Sequence, residues 1–535
     1  MSERADVVIV GAGAAGGVVA ARLARAGVKV VCLEQGRWHD LDEFPAPQAE
    51  FELLARKQWT WGPNDRKLPE DYPIDDGDSD LTPLMFNGVG GSMILYAGDW
   101  PRLHPSDFRV RSLDGVADDW PITYDDLAPY YEQTDVEFGI AGLGGDPAFP
   151  PGAEPPLPPL PIGQGGLRVA RAHVKLGWHW WPGPNSVLST PYHGRRPCAQ
   201  WGTCLWGCPE GAKATTDRTH WPSAIRDGAT LITGARARRV VLDSRGLARG
   251  VEWVDEDGGE HLQEADVVVL AANAIGTPRL LLLSDAPGHE DGLANGSGMV
   301  GRRLMVHPFA NVMGLFEDQL KAWQGHIGSK IVCYEFYESD ESRGHLRGAK
   351  WSLAPTGGPI NAALPQRAGS STWGPDHHLH VRSFLGRGVS WGIFGEDLPD
   401  PENRITLDPS LTDSSGIPAP KMTYRVSDNS RALLDWHIQR AKESLLTAGA
   451  YKVEEEALMR YSGWHLLGTT RMGDDPRDSV VNGDGRAHEV ENLYVADGSV
   501  FVTSGGCNPT STIVAFALRT ADHLVRTRNL QKVPA

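Results

Sequence analysis

Three groups of residues in this sequence have the types and spacing to do chemistry. The first is Gly11-Ala-Gly13-Ala-Ala-Gly16, followed by Glu34. Glycines so placed let the chain turn, let its backbone approach a pyrophosphate and let a helix pack on a strand. An acid about 20 residues on can accept from both hydroxyls of a ribose. That acid excludes a 2′-phosphate, so NADP is disfavoured, while NAD and FAD suit the segment equally. The second is His465, set between Gly463-Trp464 and Leu466-Leu467-Gly468. An imidazole is partly neutral near pH 7 and can take a proton from a hydroxyl; a buried core histidine is the plain alternative. The third is Cys198, Cys204 and Cys208, with His193 upstream and His220 downstream. A Cys₃His zinc site is conceivable, but no C-x₂-C pair is present and three cysteines leave such a site incomplete. Packed thiols or one local disulfide are expected there, and no metal. His377, His378 and His380 alternate as they would on one strand face, without accompanying carboxylates, and are expected to be pocket or surface histidines.

The elements that must position these groups can be read around them. The β-branched run Asp6 to Val10, the glycines and an apolar periodic stretch through Leu23 predict strand, tight turn and helix, and Val28 to Leu33 closes a βαβ unit ending at Glu34. The proline-rich stretch Phe149 to Pro161 can hold neither helix nor central strand and predicts an extended connector. From Thr230 the pattern predicts a hairpin, a strand and a helix that resume the nucleotide-binding part. Asn508-Pro509-Thr510 opens an apolar periodic helix to about His523, with proline suited to the first turn. The 535 residues exceed one common domain, and 41% hydrophobic with 22% charged residues describe a globular chain. A net charge of −17 disfavours nucleic acid and anionic lipid as partners. The opening MSERADVVIVGAG has no apolar leader, and no later run approaches a membrane span, so the cytoplasm is the expected location.

The segment Asn87-Gly-Val89-Gly90-Gly91-Ser92-Met-Ile-Leu-Tyr96-Ala97-Gly98, with Tyr494-Val-Ala-Asp497-Gly498-Ser and Gly505-Gly-Cys-Asn508-Pro509-Thr510, resembles the glucose-methanol-choline (GMC) oxidoreductases. The resemblance spans the chain and includes the hairpin at Gly234-Ala-Arg236-Ala237 and the middle motif Pro401-Glu-Asn-Arg-Ile-Thr-Leu407. It implies an α/β plus α+β fold. A Rossmann-like FAD-binding domain would be built from the discontinuous segments 1–160, 205–300 and 460–535. A substrate domain with an antiparallel sheet, and entrance loops, would come from 161–204 and 301–459. By the same resemblance FAD would meet Gly11, Gly13, Ala14, Ala15, Gly16, Glu34, Gln35, Val89, Gly90, Gly91, Ser92, Tyr96, Ala97, Ala237, Asp497, Gly498, Asn508, Pro509 and Thr510.

The resemblance also implies the chemistry, oxidation of an alcohol with a hydride passing to flavin N5 and a proton to His465, while Asn508 holds the substrate oxygen. Some sugar-oxidising relatives carry a histidine four residues past the second glycine and bind FAD covalently through it; Leu95 stands there, so non-covalent FAD is expected. His104 is nearby and leaves a shifted linkage as the alternative, but in a loop pattern before proline it is expected at the surface. The Asn-Pro pair and the three-cysteine segment look closest to bacterial sugar or glycoside 3-oxidases and pyranose oxidases. The expected substrate is therefore a sugar or glycoside oxidised at a ring secondary alcohol, C3 preferred or else C2, with Trp178, Trp180, Trp181, Trp391 and Trp464 as candidate stacking surfaces, most of them equally candidates for the core. Electrons would pass to oxygen or a soluble acceptor. A non-sugar alcohol, or an FAD-containing lyase, is the alternative.

Overall fold

The computed structural model describes residues 4–48, 51–55, 57–356, 358, 362 and 374–531. The outermost residues of the expected segments 1–160 and 460–535, and part of 301–459, lie outside the described residues. A seven-stranded sheet runs Thr230–Ile232, Val30–Leu33, Ala5–Val10, Glu260–Leu270, Ala248–Val254, Arg236–Leu242, with Leu493–Val495 also paired to Glu260–Leu270. Ala5–Val10 is parallel to both its neighbours, Val8 lying in register with Val31 and Val268. A β-branched run suits a strand covered on both faces, and Val8 and Ile9 are fully buried.

The chain leaves Val10 through Gly11, whose φ of +101° favours glycine. A Cβ on Gly11 would lie 2.5 Å from the Ala271 carbonyl oxygen, and one on Gly16 would lie 1.9 Å from that of Gly11. Helix Ala14–Arg25 can therefore start hard against the strand ends. Its Val18 and Val19 share a core with Val514, Ala517 and Leu518 of helix Thr510–Gln531, which runs past the expected end at His523.

A second, six-stranded antiparallel sheet has the order Lys452–Glu456, Phe309–Leu315, Gly388–Gly395, Ala349–Thr356, Ile331–Cys333, Trp181–Pro182. Strand side chains alternate between faces. Ala310, Val312, Trp351, Leu353, Val389, Trp391 and Ile393 form a core with Val169 and Ala170 of helix Gly163–Leu176 and with Leu433, Leu434 and Ile438 of helix Asp428–Thr447. The residues between them, Phe309, Asn311, Ser352, Ser390, Gly392 and Phe394, face a cavity instead. A small third sheet pairs Arg404–Thr412 with Pro418–Tyr424 and that strand with Asp75–Ser79.

The Rossmann-like sheet and the antiparallel sheet agree with the expected fold class. Residues 149–161 hold neither helix nor regular strand, and the hairpin, strand and helix Asn273–Leu282 after Thr230 form as the pattern predicts. One local expectation is corrected. His377, His378 and His380 lie on helix His377–Phe384, not on a strand; their spacing also satisfies one helical turn, where His377 and His380 are neighbours.

Candidate active site

One long cavity runs between the two sheets and collects most of the sequence-predicted residues. Gly11, Gly13, Ala14, Ala15, Glu34, Gln35 and Ala237 line one end, Gly91, Ser92, Tyr96 and Ala97 its flank, and Asp497, Gly498, Asn508, Pro509, Thr510 and His465 the rest. Gly16, Val89 and Gly90 are not among the lining residues. Gly16 abuts Gly11, Val89 is fully buried, and the Gly90 amide donates to the Ala12 carbonyl at 3.0 Å.

The walls fit an elongated dinucleotide. Gly91 has φ +55°, and a Cβ there would lie 2.8 Å from the Gly13 Cα, so two bare backbones face each other across the groove. Helix Ala14–Arg25 and helix Thr510–Gln531 both present their first residues to the cavity, which gives it two positive dipole ends suited to the anionic groups of a dinucleotide. Glu34 accepts from the Ala12 and Gly36 amides at 2.8 and 2.9 Å. Burial nevertheless pushes its carboxyl up to about 7.

Two residues missed in the sequence hold this turn. Thr216 Oγ1 donates to the Gly13 carbonyl (3.0 Å) and Trp221 Nε1 to that of Ala12 (2.9 Å). Both come from a segment over 190 residues away in the chain, and neither has a local pattern that announces the contact.

At the other end stand the catalytic candidates. Leu467 bridges Met305 in antiparallel fashion, with amide-to-carbonyl bonds in both directions (3.0 and 3.1 Å), so His465 and His307 meet two residues further along each arm. Their Nδ1 atoms are 3.0 Å apart. His307 Nε2 lies 2.7 Å from the Gly505 carbonyl, which can only accept, so that nitrogen carries the proton. Burial pushes His307 down to about 4, leaving its Nδ1 as an acceptor near neutral pH. It follows that His465 Nδ1–H donates to His307 and that His465 Nε2 carries a lone pair turned toward the Asn508 amide. Burial, with His307 and Lys350 as neighbours, also holds His465 well below the usual imidazole range. Asn508 Nδ2 stands 3.3 Å from His465 Nε2. The sequence pairing of His465 with Asn508 thus appears in space, whereas His307 had no signal beyond its register opposite residue 465.

The strap that carries Asn508 is fixed from several sides. The Gly506 amide donates to Tyr337 Oη (2.8 Å), the Lys350 amide donates to the Gly506 carbonyl (2.9 Å), and Gly505 accepts from His307.

The aromatic wall differs from expectation. Of the five candidate tryptophans only Trp464 lines the cavity, joined by Trp61, Phe309 and Phe394. Trp61 meets Trp464 edge to face at 5.7 Å and stacks on Trp206 at 5.9 Å. Trp178, Trp180 and Trp391 pack into the core behind the antiparallel sheet, and Trp181 donates to the Leu143 carbonyl. His104 is buried rather than at the surface, stacked on Tyr337 at 4.0 Å. Cys198, Cys204 and Cys208 are free thiols, so no local disulfide forms. Among the described residues no group of three or more His, Cys, Asp or Glu side chains could hold a metal. Their loop is tied down by the buried Lys213 ammonium, which donates to the carbonyls of Ile94, Tyr96 and Cys204.

Family comparisons agree with this geometry. Residues 172–309 and 399–517 match the two GMC oxidoreductase models, and residues 9–64 match an NAD(P)-binding Rossmann-like domain. The chain is 39% identical to 2-methyl-1,2-propanediol dehydrogenase of Mycolicibacterium austroafricanum, over 98% of this chain and 96% of that one. This protein belongs to the GMC oxidoreductases. It is also 30% identical to the fructose dehydrogenase large subunit of Gluconobacter japonicus, over 97% of this chain and 98% of the relative. Pyridoxine 4-oxidase from Mesorbium loti shares the fold with a TM-score of 0.68 at 20% identity, over 97% of this chain and 99% of that one. As a GMC oxidoreductase the protein is an FAD-dependent enzyme acting on alcohol groups. Among the described residues no helix is long and apolar enough to cross a membrane.

Proposed function

We propose that this GMC oxidoreductase oxidises a ring secondary alcohol of a sugar or glycoside to the ketone, C3 preferred or else C2. The observation that carries this reading is the polar strip on the cavity face of the antiparallel sheet. Asn311, Ser352 and Ser390 line the cavity with Ser329, and the buried Asn311 Oδ1 has no hydrogen-bond partner among the described residues. A buried acceptor without a donor is costly, and a substrate hydroxyl would supply one. Several hydroxyl-binding groups beside an aromatic wall of Trp61, Trp464 and Phe309 suit a ring that is polar at its edge and apolar on its faces.

When bound, FAD supplies the two-electron acceptor, and the residues proposed to hold it are those of the sequence reading that line the cavity, from Gly11 and Glu34 to Thr510. His465 Nε2 takes the hydroxyl proton, and the imidazolium it becomes keeps its Nδ1–H on His307. Asn508 donates its amide hydrogen to the substrate oxygen and holds it beside the base. The bonding is proposed to be non-covalent, since Leu95 lines the cavity where a linking histidine would stand. The electron acceptor is proposed to be oxygen or a soluble carrier. The segments 1–160, 205–300 and 460–535 are taken as the cofactor-binding part, and 161–204 with 301–459 as the substrate part. The cytoplasm is the proposed compartment, since six cysteines in so long a chain do not make the disulfide framework usual in small secreted proteins.

The similarity to a 1,2-diol dehydrogenase favours a second reading, a small vicinal diol. Both readings share the vicinal diol unit, and one experiment separates them. Anaerobic flavin bleaching is titrated with glucose, O- and C-glycosides, 1,2-propanediols and choline, and the product is located by NMR. Bleaching by carbohydrates with a new ring ketone supports the sugar reading; bleaching by propanediols alone replaces it with the diol.

A further inference from the structure

The antiparallel sheet places Lys350 beside the catalytic pair, and neither sequence motif nor pocket wall marks it. It lies on the same strand face as Ser352, in register with Phe394, and its side chain is 1% exposed. Its Nζ is 2.5 Å from Asn508 Oδ1, 3.8 Å from Asp99 Oδ2 and 5.3 Å from the centroid of the Phe394 ring. An ammonium has three donors and no acceptor, so the amide atom that meets it must be the oxygen. The other amide atom, the NH₂ group, is then the one that stands 3.3 Å from His465 Nε2.

We propose that Lys350 is a positioning residue for the oxidation, locking the Asn508 side chain so that only its NH₂ faces His465 and the substrate oxygen. This rests on the reading of His465 as base and Asn508 as its partner. The consequence is a fixed polarity at the reacting hydroxyl. The oxygen meets a donor from Asn508 while the proton meets the lone pair of His465. An amide turned over would place its carbonyl oxygen against that lone pair and against the substrate oxygen, repelling both. Lys350 therefore acts through Asn508 and not by touching the reacting atoms. The charged and titratable groups facing His465 are His307 across the antiparallel bridge and Lys350, itself paired with Asp99.

The test uses holoenzymes of K350M and K350Q, each read by anaerobic stopped-flow flavin reduction across pH. Methionine removes both donor and charge, whereas glutamine keeps an NH₂ donor without the charge. K350M is expected to lower the limiting reduction rate about 10–100-fold, as for loss of a charge-assisted hydrogen bond, and K350Q less. In both variants the acid limb of the profile should move to higher pH, since His465 loses a cationic neighbour. A K350M rate within about twofold of the parent overturns the proposal, as does an unmoved acid limb with equal losses in both variants, which would be plain structural damage. Should K350M fail to fold or hold FAD, K350Q decides alone: a parental rate with an unmoved limb overturns it, and a slower rate with a shifted limb supports it. H465A is run beside them. If it reduces flavin at parental speed, the base assignment fails; if H465A is inactive while K350M is parental, only the role of Lys350 fails.

Discussion

A histidine serves as a base only if one nitrogen offers a lone pair at the working pH, and in this site that condition is met by a chain of fixed donors. The Gly505 carbonyl sets the His307 tautomer and His307 sets that of His465. Replacing His465 by alanine is expected to cut the rate of flavin reduction about 10²–10⁴-fold with FAD still bound, as measured by stopped-flow absorbance. Replacing His307 by phenylalanine removes the acceptor for His465 Nδ1–H. It should cost about 10–100-fold in the same assay, because the hydrogen bond is worth most once His465 carries the proton. His465 and Asn508 could be found in the sequence because each sits in a motif with its own local character. His307 and Lys350 could not, because what brings them to this site is a cross-strand register and a strand face. His104, judged from a loop pattern before proline, was misplaced for a similar reason: burial is decided by distant Tyr334 and Tyr337.

At the scale of elements, the N-terminal βαβ unit is legible because strand, turn and helix follow one another within 30 residues and each signal is local. Strand alternation is equally visible in principle, but the sequence does not say which face meets a cavity. From sequence Trp391 is equally a candidate sugar platform and a core residue; it is core, and its neighbours Ser390 and Gly392 hold the lining positions. The acid that closes the βαβ unit gives an element-level prediction. Burial raises Glu34 to about 7, so in the FAD-free protein it is largely protonated below that pH. Ribose hydroxyls donating to it favour the ionised form and would lower its pKa on binding. FAD affinity should then weaken as pH falls below about 7, by up to roughly tenfold per unit. Titrating apoprotein with FAD between pH 5.5 and 8, as about the accessible window around that value, should show this slope in the parent and lose it in E34Q.

Across the whole molecule, a buried ionic knot joins distant segments behind the strap that carries Asn508. The Arg347 guanidinium reaches Asp107 at 2.7 Å, Glu396 at 2.8 Å and Asp114 at 2.9 Å, and Tyr337 donates to Asp107 while accepting from the Gly506 amide. Arg347→Met would strand these carboxylates in a buried site, with a loss of about 3–5 kcal/mol. Burial raises the Asp107 and Glu396 carboxyls even with the arginine present. Without it their folded pKa values rise further, so the deficit should be full where both are ionised and shrink as pH falls and they protonate. Melting temperatures of R347M and parent holoenzyme should therefore differ more at alkaline than at acid pH. The packing of helix Ala14–Arg25 against Thr510–Gln531, and of strand Ala5–Val10 against Glu260–Leu270, also ties together parts of the chain that are far apart in sequence. The strand and its sheet neighbour lie about 250 residues apart in the chain, and the helix and its partner nearly twice that. Such distant pairings close very long loops before any contact rewards them, so this half of the molecule should fold slowly, and removing residues 510–531 would strip part of the cover from Val18 and Val19 while leaving the strand its neighbours Val30–Leu33 and Glu260–Leu270.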